Sequence, residues 1–223
     1  MKDPFKKWLL RTMIVALGLV VWFWTQSLIG HRVTSDAIVD KVHEYTQPLN
    51  DYLQAHESAA NALLIVSSLI IDCLGIFLIG ASIFGKTLRP FVGLLIVFGL
   101  RQFCQWLCAL PPPAQMIWHS PGFPSLLVTY GVTKDLFFSG HTAIAVLGSI
   151  ELYRLRPRLL ISVAGVCIVL FEASTVLILR AHYTMDVFAG AMAAIVAAMI
   201  SNWICTFLEN RRTGALQQPA GKK

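Results

Sequence analysis

Residues 159–186 read LLISVAGVCIVLFEASTVLILRAHYTMD, and this stretch decides the fold. From Leu159 to Leu179 it is apolar, interrupted by one ionisable side chain, Glu172, and it is long enough to cross a hydrocarbon core of about 30 Å as a helix. The chain then turns within residues 180–182 and enters a second apolar run. Two spans joined by so short a turn form a helical hairpin that crosses the membrane and returns.

Five further stretches carry the same signal: 8–29, 60–84, 91–110, 137–153 and 183–208. With 159–179 they predict an all-α, six-transmembrane-helix bundle. The whole-chain values agree, since 56% hydrophobic, 13% charged and a mean hydropathy of +0.66 lie outside the range of soluble domains. The expected layout is a cytoplasmic N-terminus (1–7), a membrane domain (8–208) and a disordered cytoplasmic tail (209–223). The lysines before the first apolar run precede no small-residue cleavage site, so that run reads as a retained helix.

The net charge of +6 could indicate nucleic acid, but the basic residues form short clusters beside apolar runs, the pattern of membrane topology. Lys2, Lys6, Lys7 and Arg11 flank the start; Lys86 and Arg89 follow the second span; Arg154, Arg156 and Arg158 follow the fourth; Arg211, Arg212, Lys222 and Lys223 close the chain. All four clusters fall on one side, which places both termini in the cytoplasm. The opposite side holds the loops 31–58 and 111–136 and the turn 180–182, with Trp22, Trp24 and Trp118 as an aromatic belt. In the first of these loops Ala37, Ile38, Val42, Tyr45, Leu49, Tyr52 and Leu53 recur at near-helical spacing on either side of Pro48, which predicts helix lying along the outer interface. His31, His43 and His56 in that loop lack i, i+4 partners and read as solvated surface histidines. Cys73, Cys104, Cys108, Cys167 and Cys205 show neither disulfide nor zinc spacing and read as small core residues.

Chemistry concentrates where the fourth and sixth spans begin. His141 and His182 are separated by one helical hairpin, down and back, so both reach the same outer face. Asp186 lies four residues after His182 and shares its helix face, which lets the carboxylate accept an imidazole N–H and fix the tautomer. His182 is then a candidate nucleophile. Ser139 and Gly140 stand at a helix start, where free N–H groups and the positive dipole end suit a phosphate. The alternative, structural histidines at helix ends, leaves unexplained why three expensive ionisable groups converge on one face of a membrane bundle.

The segments Asp135-Leu-Phe-Phe-Ser139-Gly140-His141-Thr142 and His182-Tyr183-Thr184-Met185-Asp186 resemble the two signatures of the sphingomyelin synthases and the phosphatidylcholine:diacylglycerol cholinephosphotransferases. These form a branch of the type 2 phosphatidic acid phosphatase superfamily. A third segment, Arg101 followed by eight residues and Leu110-Pro111, resembles the Arg-x8-Leu-Pro stretch of the same enzymes. The resemblance runs from Arg101 to about Ala189 and keeps order and spacing. It implies His182 as nucleophile, Asp186 as its orienter and His141 as general acid. It also implies membrane lipids as donor and acceptor, and neither metal nor cofactor. One departure is Thr133-Lys134, where sphingomyelin synthases carry Cys-Gly.

The phosphatase branch uses K-x6-R-P, P-S-G-H and S-R-x5-H-x3-D. Here Phe138 precedes Ser139, Thr175 and Val176 replace the Ser-Arg, and Arg89-Pro90 and Arg156-Pro157 belong to the basic side. A phosphate monoester approaches a charge of about −2 at neutral pH, whereas a diester carries one negative charge and needs fewer cations. The candidates are Arg101, Arg180 and Lys134. Arg180 either forks onto phosphate oxygens or snorkels to the interface. Arg101, inside a span, costs on the order of 3 kcal/mol on insertion scales if unpaired, so it should face the bundle interior, on Glu172 or on phosphate. Asp135 either orients His141 or caps the fourth span. The expected activity is transfer of a phosphorylated headgroup, phosphocholine foremost, from a glycerophospholipid to diacylglycerol or ceramide on the non-cytoplasmic face. The rivals are a lipid phosphatase or phospholipase C-like hydrolase, and a non-enzymatic scramblase or regulator.

Overall fold

The computed structural model describes residues 38–128, 130 and 136–216, with Met13 and Val20, the side chains of 212–216 excepted. The chain divides into two units, Met1–Val39 and Asp40–Lys223. Apart from Met13 and Val20 the expected first span lies outside the described residues, as do His31, Lys134, Asp135 and the end of the tail. All seven described helices belong to the second unit, and no strand occurs among the described residues: α1 Lys41–Tyr45, α2 Gln47–Ala55, α3 Glu57–Phe84, α4 Arg89–Leu107, α5 Gly140–Leu155, α6 Leu159–Ile178 and α7 Thr184–Leu216.

Among the described residues, four segments are long and apolar enough to cross a membrane: Glu57–Phe84, Arg89–Leu107, Leu159–Ile178 and Thr184–Arg211. The expected fourth span is shorter than read. Its helix, α5, begins at Gly140 and covers about 24 Å at 1.5 Å per residue. It compensates by burial, because α3, α4, α6 and α7 all pack around it. Ala143, Ala145 and Leu147 of α5 meet Leu74 and Leu78 of α3, Leu94 and Val97 of α4, and Ala194, Ala197 and Ala198 of α7 in one core. Small side chains allow this, since helices in lipid associate through close backbone approach rather than by expelling water.

Two basic clusters of the sequence meet at one end of this bundle. Glu151, buried near the end of α5, accepts from Arg89 at 3.0 Å and from Arg154 at 2.6 Å. A buried carboxylate is tolerable only when paired, and the two guanidinium groups fix the α3–α4 and α5–α6 turns on the same side. The loop read at 31–58 is helical from Lys41 to Ala55, with an interruption at Thr46. Proline stands in the first turn of α2, where its missing N–H has no helical partner to lose. The last helix passes the expected end at 208 and continues to Leu216; Arg211 lies over the Phe207 ring at 4.8 Å.

Candidate active site

The start of α5 is built by Ser139. Its side chain caps the helix by accepting from the Thr142 N–H at 3.3 Å, and its own N–H donates to the main-chain oxygen of Asp186 at 3.0 Å. That bond docks the beginning of α5 on the beginning of α7. Gly190, one turn after Asp186, makes room for the docking, because a Cβ there would come closer than 3.0 Å to the Ser139 carbonyl oxygen. His141 is thereby fixed as the second residue of α5.

His182 arrives from the other direction. The chain leaves α6 through a turn in which Arg180 adopts φ +55°, and the His182 N–H returns to the Val176 carbonyl at 3.3 Å. Asp186, fully buried, sits in the first turn of α7, where the helix dipole favours a negative charge. Its Oδ2 lies 3.1 Å from His182 Nδ1 and accepts the Tyr183 N–H at 3.1 Å. An acceptor-only carboxylate on Nδ1 leaves Nε2 as the nitrogen with a lone pair.

The two turns meet at a cavity of about 140 Å³ lined by Arg101, Gly140, His141 and His182, with Ile71, Phe98, Met116, Trp118 and Ile144 as its apolar wall. The Trp118 and His141 rings meet in a T-shaped contact, centroids 5.5 Å apart at 79°. Arg101 lies against the helix start: a Cβ on Gly140 would stand 3.6 Å from Arg101 Nε. Among the described residues Arg101 is the one guanidinium or ammonium that lines the cavity. Glu172, the rival partner weighed for Arg101, instead accepts from Ser67 Oγ at 2.6 Å.

Other candidates fall elsewhere. Ser139 is buried and spends its hydroxyl on the helix cap rather than on the cavity. Arg180 is neither snorkelling nor aimed at the cavity. It is buried, and its guanidinium donates to the carbonyls of Ala114 (3.3 Å) and His43 (3.0 Å) and to Gln47 Oε1. Those acceptors take the two terminal nitrogens of a cation that lipid cannot solvate. Aromatic faces attract a quaternary ammonium such as choline: Trp118 lines the cavity, and Tyr130 packs on Trp118 with centroids 4.9 Å apart. Tyr183 instead donates to the Pro111 carbonyl at 3.1 Å, and Phe137 is partly exposed.

The reading of His43 as a solvated surface residue is corrected. His43 is 6% exposed, and its Nε2 is 2.9 Å from the main-chain oxygen of His182. Beside it Asp40 accepts the Thr184 N–H at 2.6 Å and the Thr184 hydroxyl at 2.8 Å. No local sequence pattern announces these contacts, which span more than a hundred residues of chain.

A family model described as AtPDCT1/2 matches residues 39–203. Among curated proteins, phosphatidylcholine:diacylglycerol cholinephosphotransferase 1 of Arabidopsis thaliana is 23% identical over 169 residues, covering 76% of this chain and 54% of that protein. The chain thus spans about half the length of the curated relative it matches. Among solved structures, the crystal structure of Aquifex aeolicus LpxE is similar with a TM-score of 0.52 at 19% identity, over 76% of this chain and 98% of that chain, a likeness of fold.

Proposed function

We propose that this chain, which belongs to the AtPDCT1/2 family, moves a phosphorylated headgroup, phosphocholine foremost, from a glycerophospholipid to the hydroxyl of diacylglycerol or ceramide. The family lies in the sphingomyelin synthase and cholinephosphotransferase-like branch of the type 2 phosphatidic acid phosphatase superfamily. The observation that carries the proposal is the convergence of His141 and His182 on one small cavity, with Asp186 held on His182 Nδ1.

In this mechanism His182 Nε2 attacks phosphorus, an N–P bond forms, and the bond to the diacylglycerol oxygen breaks as His141 delivers a proton to that oxygen. The acceptor hydroxyl then attacks phosphorus, gives its proton to His141, and the N–P bond breaks. Both half-reactions conserve protons without a further reactant. Arg101 offsets the single negative charge of the diester, and the Gly140 backbone lets phosphate approach the helix start. Ser139 supports the site as the helix cap. A cavity of about 140 Å³ is smaller than typical ligand pockets of roughly 300–1,000 Å³. That size suits a headgroup with its acyl chains left in lipid.

The accompanying topology is six spans, with α5 as the fourth, both termini in the cytoplasm and the histidines at the non-cytoplasmic face. The paired basic turns at the far end of the bundle support it. Purified protein given labelled phosphatidylcholine, with and without diacylglycerol or ceramide, tests the reaction. Label in the acceptor lipid is expected. Free phosphocholine formed at the same rate with or without acceptor would replace the transferase by a hydrolase.

A further inference from the structure

The outer helix α1 and its flanks touch the chain on both sides of His182 without lining the cavity. Asp40 binds the Thr184 N–H and hydroxyl through separate carboxylate oxygens, at 2.6 and 2.8 Å, while Oδ1 also caps α1 by accepting the Val42 N–H at 2.9 Å. One carboxylate therefore caps two helices. His43 reaches the His182 carbonyl at 2.9 Å, and since a carbonyl only accepts, Nε2 of His43 carries the hydrogen. Arg180 closes the arrangement from below by donating to the His43 carbonyl and to Gln47.

We propose that residues 40–47 form a strap that positions His182, with His43 and Asp40 as its positioning residues. The strap fixes the main chain at 182 and 184 and takes the Arg180 guanidinium, and Asp186 fixes the ring. A main chain held through the His182 N–H on the Val176 carbonyl and through the strap at the His182 carbonyl and Thr184 leaves the imidazole little freedom beyond χ1 and χ2, and the Asp186 bond removes that. Packing alone would not need this chemistry. A buried histidine and a carboxylate capping two helices are costly to desolvate, and they are aimed at the candidate nucleophile His182 and at Thr184.

The inference rests on the proposed role of His182, so its test needs one readout tied to the reaction and one that is not. Full-length protein in lipid nanodiscs is assayed for transfer from labelled phosphatidylcholine to diacylglycerol, with melting temperature measured in parallel. His182 carbethoxylation by diethylpyrocarbonate is followed by mass spectrometry. His43→Ala should lower kcat about 10- to 100-fold, the range of a misplacement of about 1 Å, with little change in KM. His43→Gln, whose amide can donate to the same carbonyl, should restore most of the rate. The carbethoxylation rate of His182 should change in His43→Ala and return in His43→Gln. If His43→Ala does not fold, Asp40→Asn replaces it, with the same kcat loss expected. Unchanged kcat and unchanged His182 reactivity in a folded variant would overturn the strap, as would a rate loss that follows melting temperature alone. Wild-type protein without transfer activity would instead overturn the functional reading, leaving the carbethoxylation comparison to decide the strap.

Discussion

Gly190 packs beneath Ser139 so closely that a Cβ at position 190 would overlap the Ser139 carbonyl oxygen, the atom that accepts the first helical bond of α5, from the Ala143 N–H at 3.1 Å. Helix propensity favours alanine over glycine by about 1 kcal/mol, whereas overpacking costs about 1–3 kcal/mol. The contact should win. Gly190→Ala is expected to lower the melting temperature and to reduce activity by shifting His141 away from His182. A stabilised, fully active variant would show that α5 is not docked on α7 through this approach.

The Asp40 carboxyl gives a pH signature. Burial raises its pKa, but the Thr184 N–H and hydroxyl, the nearby His43 and the Val42 N–H outweigh burial and bring it below the ordinary 3.8. A carboxylate with a depressed folded pKa contributes stability above its unfolded pKa, and loses it as the pH falls through the folded value. The melting temperatures of wild type and Asp40→Asn should therefore differ by a constant amount from neutral pH to about 5, and converge below about 4. A gap that persists undiminished into strong acid would remove Asp40 as the cause.

What was legible in the sequence follows from how local each signal is. The hairpin spacing brings His141 and His182 to one cavity as read, and Asp186 meets His182 as read, but from the first turn of α7 onto a His182 that stands in the preceding turn rather than on the same helix. Arg101 was legible through cost, because an arginine in a span must find an interior. Arg180 misled because its left-handed turn, φ +55°, swings the guanidinium onto carbonyls from two other segments. His43 and Gly190 were invisible for a related reason: each answers to a backbone atom that the fold brings from far along the chain, His182 O and Ser139 O.

The proposed topology can be checked from one loop position. Ser120 is exposed in the loop between α4 and α5, on the side of the two histidines in the six-span arrangement. Ser120→Cys should react with a membrane-impermeant thiol reagent from outside intact cells or sealed right-side-out vesicles, in a background where the five native cysteines are replaced. Labelling only after permeabilisation would invert the orientation.

The two histidines should fail differently, and the leaving group separates them. Without His182 no headgroup can be captured, so His182→Ala should abolish both transfer and any labelled covalent adduct. Without His141 the outcome depends on what departs: an alkoxide needs a proton as it leaves, and losing the acid costs typically 10²- to 10⁴-fold, whereas a nitrophenolate leaves unaided. A nitrophenyl phosphodiester should therefore partly rescue bond cleavage in His141→Ala and not in His182→Ala. Asp186→Asn should keep the fold while impairing His182, because an amide in place of Oδ2 can donate to Nδ1 and push the ring hydrogen onto Nε2, the nitrogen that must attack. The Tyr183 N–H shares that oxygen, so a modest fall in melting temperature is expected alongside the larger fall in rate. If the activated substrate rescues His182→Ala instead, nucleophile and acid are exchanged, and the carboxylate bound to His182 serves the acid rather than the nucleophile.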